Sequence, residues 1–114
     1  MIKEIVLEEG THDFIFIGIE PYDYLDRVLN IFESNFKFTS KKHISGWHST
    51  VIEYIVQDIT ITIGDAYDVL SVTLINPITE NSIEKVRGWA QNIEGRRRSI
   101  CICNADFWYE ITKI

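Results

Sequence analysis

From Ser49 to Ile75 the chain is strand-like almost throughout, and its apolar residues change parity once. Ile52, Tyr54 and Val56 fall on even positions, whereas Ile59, Ile61 and Ile63 fall on odd ones. A strand sends alternate side chains to opposite faces, so one dry face survives such a change only through a tight turn or a bulge near Gln57-Asp58. The turn is the preferred reading, although neither residue is a strong turn former. Gly64-Asp65-Ala66-Tyr67-Asp68 is a clearer turn, and it leads into Val69 to Ile75. Three antiparallel strands are therefore expected in the middle of the chain.

The flanks supply the rest of the fold. Ile2 to Glu8 and Phe14 to Ile19 are β-branched and aromatic runs separated by Glu9-Gly10-Thr11-His12, which predicts a hairpin with His12 in its turn. Phe14-Ile15-Phe16-Ile17 is apolar at both parities, so both faces of the second strand are expected to be covered. Pro21 opens a helix over about 21 to 36. Its apolar stripe is Leu25, Val28, Leu29, Phe32 and Phe36, with Glu20, Asp23 and Asp26 at the end where the helix dipole favours carboxylates. Residues 37 to 47 show no clean period and are expected to form a loop.

Asn76-Pro77 stops the third middle strand, and Asn81-x-x-Glu84 has the form of a capping box ahead of Ile83, Val86, Ala90 and Ile93. Gly95 supplies the stop, followed by Arg96, Arg97 and Arg98, where cations suit the carbonyl end of a helix. Ile100 to Cys103 and Phe107 to Ile111 complete the pattern as a last strand or pair of strands. The expected order is β-β-α-β-β-β-α-β-(β): one α+β domain over residues 1 to 114, with two helices on a mainly antiparallel sheet of five to seven strands.

With 114 residues, 46% of them hydrophobic, the chain has enough apolar material for one core without a disulfide or a structural metal. Its longest apolar runs fall well short of the roughly 20 residues of a bilayer span. The start, Met1-Ile2-Lys3-Glu4-Ile5-Val6-Leu7, carries charges within its apolar stretch and no small-residue cleavage site, so a first strand is expected there and not a signal peptide. Cys101 and Cys103, two apart on one apparent strand, are poorly placed to bond to each other, and a reducing, cytoplasmic setting is expected.

No residue set announces catalysis. His43 and His48 flank Ser45-Gly46-Trp47 with Glu53 nearby, but this spacing matches neither the i, i+4 histidines of a metal-binding helix nor a clustered zinc site. Cys101-x-Cys103 is better explained as two buried small hydrophobes than as a thiolate pair, which would need a general base and an electropositive setting. There is no Gly-x-Ser-x-Gly elbow, no Walker sequence and no Gly-x-Gly-x-x-Gly. A non-enzymatic chain without cofactor or metal is the expectation, and an enzyme using His43, His48 and Glu53 ranks third among the alternatives. Lys41, Lys42 and Arg96 to Arg98 are the only cationic groupings. Against a net charge of −6 they are too few to hold nucleic acid at physiological salt.

The charge distribution is lopsided in the opposite sense. Between Lys42 and Lys85 there is no Lys or Arg, yet Glu53, Asp58, Asp65, Asp68, Glu80 and Glu84 all fall there. Carboxylates on strands commonly serve only to keep a sheet soluble and its edges unpaired. Unneutralised and gathered on one side, they attract a basic partner and repel nucleic acid and anionic membrane. Glu53, Asp58, Asp65 and Asp68 are the candidate partner-binding carboxylates, with Trp47 and Tyr67 as candidate aromatic anchors.

A small, acidic α+β chain of this kind, lacking a catalytic set, resembles in type the immunity proteins that neutralise secreted bacterial toxins, including those of contact-dependent inhibition systems. The resemblance implies tight binding to a basic toxin domain, commonly a nuclease, by occluding its substrate cleft or an adjacent surface. The alternative is a small assembly domain that self-associates through strand edges or the surfaces of Trp47, Trp89 and Trp108.

Overall fold

The computed structural model describes residues 2–7, 10–17, 21–46, 49–65 and 69–96, without the side chains of 21–23 and 45. Its elements are β1 (Ile2–Val6), β2 (His12–Phe16), α1 (Pro21–Asn35), β3 (Ser40–Ser45), β4 (Thr50–Val56), β5 (Ile59–Gly64), β6 (Ser71–Asn76) and α2 (Glu80–Gly95). The strands form one sheet in the order β1-β2-β6-β5-β4-β3, antiparallel at every pairing. The fold is α+β, as the patterning implies. The terminal strands expected at Ile100 to Cys103 and Phe107 to Ile111 lie outside the described residues.

The parity change is a two-residue turn. Val56 pairs with Ile59, and Gln57 and Asp58 both take positive φ, 52° and 64°, as a type I′ hairpin requires. In β1–β2 the positive φ falls to Gly10 (93°), where Leu7 N–H donates to Thr11 O and Gly10 N–H to Leu7 O. Gly64 is required for a different reason. A Cβ there would stand 2.6 Å from the Thr50 carbonyl oxygen and 2.8 Å from a Val51 methyl, so β4 and β5 approach this closely only over a glycine.

Several expectations are corrected. Residues 40–45 form strand β3, not a loop; because it is an edge strand with Lys41, Lys42, His43 and Ile44 all exposed, nothing imposes an alternating pattern on it. The N-cap of α2 is Thr79, whose Oγ1 accepts from Ser82 N–H at 3.1 Å, and Asn81 is one residue into the helix. His12 opens β2 and is buried, not placed in a turn.

Both helices cover one face of the sheet. Phe14, Phe16, Ile52, Tyr54, Val56, Ile59, Ile61, Ile63, Val72 and Leu74 point into that layer. They meet Leu25, Val28 and Phe32 of α1 and Val86, Ala90 and Ile93 of α2. Full burial of each large side chain stabilises by about 1.5 to 3 kcal/mol, so this single layer dominates the stability. The opposite face of β2 is not enclosed: Ile15 is half-buried and Ile17 exposed, so the double apolar parity of this segment does not mark a strand covered on both sides.

Candidate binding surface

The carboxylates singled out in the middle hairpins do not converge. Asp58 is exposed in the β4–β5 turn, while Asp65 follows the other end of β5, roughly 20 Å away at the rise of a strand. Asp65 is only 8% exposed and serves the backbone: its Oδ1 accepts from Thr50 N–H at 2.7 Å, and its own N–H donates to Thr50 O at 3.1 Å. Glu53 lies on the open face, in a row that crosses the sheet as Ile5, Asp13, Thr73, Thr62, Glu53 and Lys42. Trp47, Tyr67 and Asp68 lie outside the described residues, as do His48, Cys101, Cys103 and Trp108. His43 stands opposite Ile52 on the helix-covered side of β3, so it and Glu53 face opposite ways. Trp89 is partly buried, with its ring 5.8 Å from that of Phe36.

Carboxylates do gather elsewhere, where β1 and β2 meet the first half of α2. Glu4 projects from β1 on the helix-covered face and takes two hydrogen bonds from Arg87 of α2. Nε donates to Oε2 at 2.7 Å and Nη2 to Oε1 at 2.9 Å. His12 Nε2 lies 3.0 Å from the same Oε1, so facing an ionised carboxylate it is the nitrogen that carries hydrogen. The Arg87 hydrogen bonds, then that of His12, hold the Glu4 carboxyl at about 2. Arg87 also pairs with Glu84, three residues earlier on the helix, and Glu4 above all raises the guanidinium above its ordinary value.

A cavity of about 430 Å³ opens beside this network, lined by His12, Glu80, Ile83, Glu84 and Arg87. Glu80 stands in the first turn of α2, where the helix dipole favours its charge. Three carboxylates (Glu4, Glu80, Glu84) against one guanidinium (Arg87) leave a formal charge of −2, counting His12 as neutral. Apolar residues stand uncovered at the same end of the sheet. Val6, the cross-strand neighbour of His12, is 65% exposed, and Ile78, just ahead of α2, is 43% exposed; Leu7 is exposed beside Val6. Glu80 and Glu84 are themselves open to water, so anionic and apolar side chains share this end of the sheet.

The sequence carries part of this site. Glu80 and Glu84 belong to the cation-free stretch, and with Arg87 they recur at helical spacing. Nothing local links them to Glu4, which is 83 residues from Arg87.

A second polar network is structural. Tyr54, fully buried, donates its hydroxyl to Glu33 Oε2 at 2.5 Å, and Lys41 Nζ lies 2.7 Å from the same oxygen. Burial and then the Glu33 carboxylate push the phenol upward, while Lys41 and then Tyr54 hold Glu33 below the usual carboxylate range. The network ties α1 to β3 and β4. The chain matches no family model, no curated protein and no solved structure.

Proposed function

We propose that this protein is a non-catalytic binding domain that captures a basic protein, its partner class being a toxin domain of the kind immunity proteins neutralise. The observation that carries the reading is the cavity walled by Glu80 and Glu84, with Val6, Leu7 and Ile78 uncovered around it. The carboxylates steer a cationic surface inward and the apolar residues hold it once water leaves. This surface is the junction of β1, β2 and α2, apart from the middle hairpin.

Self-association through the open face of the sheet is opposed by its charges. Across that face the order is Lys3 on β1, Asp13 on β2, Glu53 on β4 and Lys42 on β3. A two-fold stacking along the strands lays β2 on β4 and β1 on β3, so like charge meets like; the perpendicular two-fold lays each strand on its own copy. Like-charge contacts of this kind disfavour association.

The test is affinity capture from the native host, run in parallel with the native chain and with E80K/E84K. A basic protein captured by the first and lost by the second is then purified and its association rate measured against salt. The native chain should associate faster at low salt than at high salt, and the double variant should be slower with a flatter dependence. Equal rates for the two chains reject this surface.

A further inference from the structure

Beyond the charge at this end of the molecule, the hydrogen-bonding phase of β1 specifies how a partner is held. Leu7 N–H donates to Thr11 O, which makes Leu7 and Thr11 a hydrogen-bonded pair. In an antiparallel ladder such pairs alternate, and the register Ile5↔Asp13 and Lys3↔Ile15 continues the series. The N–H and C=O groups of Lys3 and Ile5 therefore point inward to β2, while those of Ile2, Glu4 and Val6 point outward. Among the described residues no strand lies against that outer edge.

The two edges of the sheet are guarded unequally. At β3, Gly46 N–H donates to Ser49 O, and the same alternation turns the backbone of Lys41 and His43 outward. Lys41 and Lys42 are exposed there; Lys41 is paired with Glu33, and Lys42 disfavours a cationic segment at that edge. At β1 the exposed side chains beside the outward groups are Lys3 on the open face and Val6 on the helix-covered face, where Glu4, His12 and the cavity bordered by Glu80 and Glu84 lie alongside. An incoming cationic strand meets two lysines at β3, and at β1 one lysine with the carboxylates of Glu4, Glu80 and Glu84 beside it.

We infer that β1 binds its partner by strand addition: an extended segment with alternating basic and apolar residues pairs with the outward groups of Ile2, Glu4 and Val6. This rests on the basic-partner reading above and adds the mode of binding to it. Main-chain hydrogen bonds supply affinity in such additions, and alternate side chains supply selection.

The probe is a hexapeptide of alternating lysine and valine, with a second version N-methylated at every amide. In the free protein the Glu4 and Val6 amides should exchange with solvent far faster than those of Lys3 and Ile5; protected Glu4 and Val6 amides in the free chain overturn the inference. Adding the peptide should protect them, and the N-methylated version should not. Val6→Pro removes an outward N–H that serves no intramolecular ladder bond, a position where an edge strand tolerates proline. It should leave the circular dichroism spectrum unchanged and bind the peptide about tenfold more weakly than Val6→Ala, which loses the valine methyls but keeps the amide; that difference is one main-chain hydrogen bond's worth.

Tight peptide binding that survives both V6P and N-methylation but is lost in E80K/E84K overturns strand addition while leaving the acidic surface intact. Binding lost on V6P and N-methylation but untouched by E80K/E84K supports the edge and rejects the acidic surface. No binding of the unmethylated peptide at low salt overturns the inference outright.

Discussion

Replacing Tyr54 by Phe removes a single oxygen from the middle of the molecule. The ring keeps its neighbours, Phe32 at 4.6 Å and Phe38 at 5.1 Å between centroids, so packing is conserved and the change isolates the bond to Glu33. A hydrogen bond to a charged acceptor contributes about 1.5 to 3 kcal/mol. Glu33 retains Lys41, and its side chain is 29% exposed, so water replaces part of what is lost. The expected cost is therefore at the lower end, about 1.5 to 2 kcal/mol at pH 7, or a fall in Tm of roughly 6 to 8 °C for a domain of this size.

Equilibrium unfolding in urea with an unchanged slope reads the effect directly. The pH dependence adds a second check. The folded-state pKa of Glu33 lies below its ordinary 4.5, so its contribution is complete above that value and is lost as pH falls and the carboxylate protonates. The gap between native chain and Y54F should accordingly be widest at neutral pH and narrow in acid. A gap below about 0.5 kcal/mol at pH 7, or one that does not narrow as Glu33 protonates, refutes a charge-assisted bond at this position.

Glu4→Gln should lower stability at pH 7 by about 1 kcal/mol, a figure reduced for solvent screening because the side chain is about one-third exposed. With Glu4 held at about 2, that contribution is present above pH 4.5 and lost between 4.5 and 2, so the two chains should converge in acid melts; a constant difference would contradict the assignment. Gln57→Asn combined with Asp58→Gly should stabilise by about 1 kcal/mol, because the type I′ turn holds both positions at positive φ, which asparagine and glycine accept readily. Thermal melts that show no gain would mean that the native turn is already relaxed.

Local chemistry makes some elements legible and leaves others hidden. The change of parity between Val56 and Ile59 locates the break between β4 and β5, because each strand buries alternate residues against the helices; that the break is a turn and not a bulge is settled by the positive φ of Gln57 and Asp58. The stripe from Leu25 to Phe32 marks α1 for the same reason. β3 has no such signature: Lys41, Lys42, His43 and Ile44 are all exposed, so pairing with β4 and not burial makes them a strand. Asp65 reads as a surface carboxylate until its bond to Thr50, fifteen residues earlier, is seen. Of the junction site, Glu80, Glu84 and Arg87 follow from helical spacing. Glu4 and His12 reach it only because the N-terminal hairpin docks beside β6.

That docking has a consequence for how the molecule assembles. Strands β3 to β6 each pair with the strand next in the chain, so they can zip together over short loops. The β1–β2 hairpin instead finds its neighbour across the span from His12 to Leu74, a far costlier closure. It precedes β6 in the chain, so its docking waits for β6 to be made. Until β6 and α2 have been made, Phe14 and Phe16 lack the neighbours that bury them, and a growing chain carries these two aromatics uncovered while the intervening residues are added.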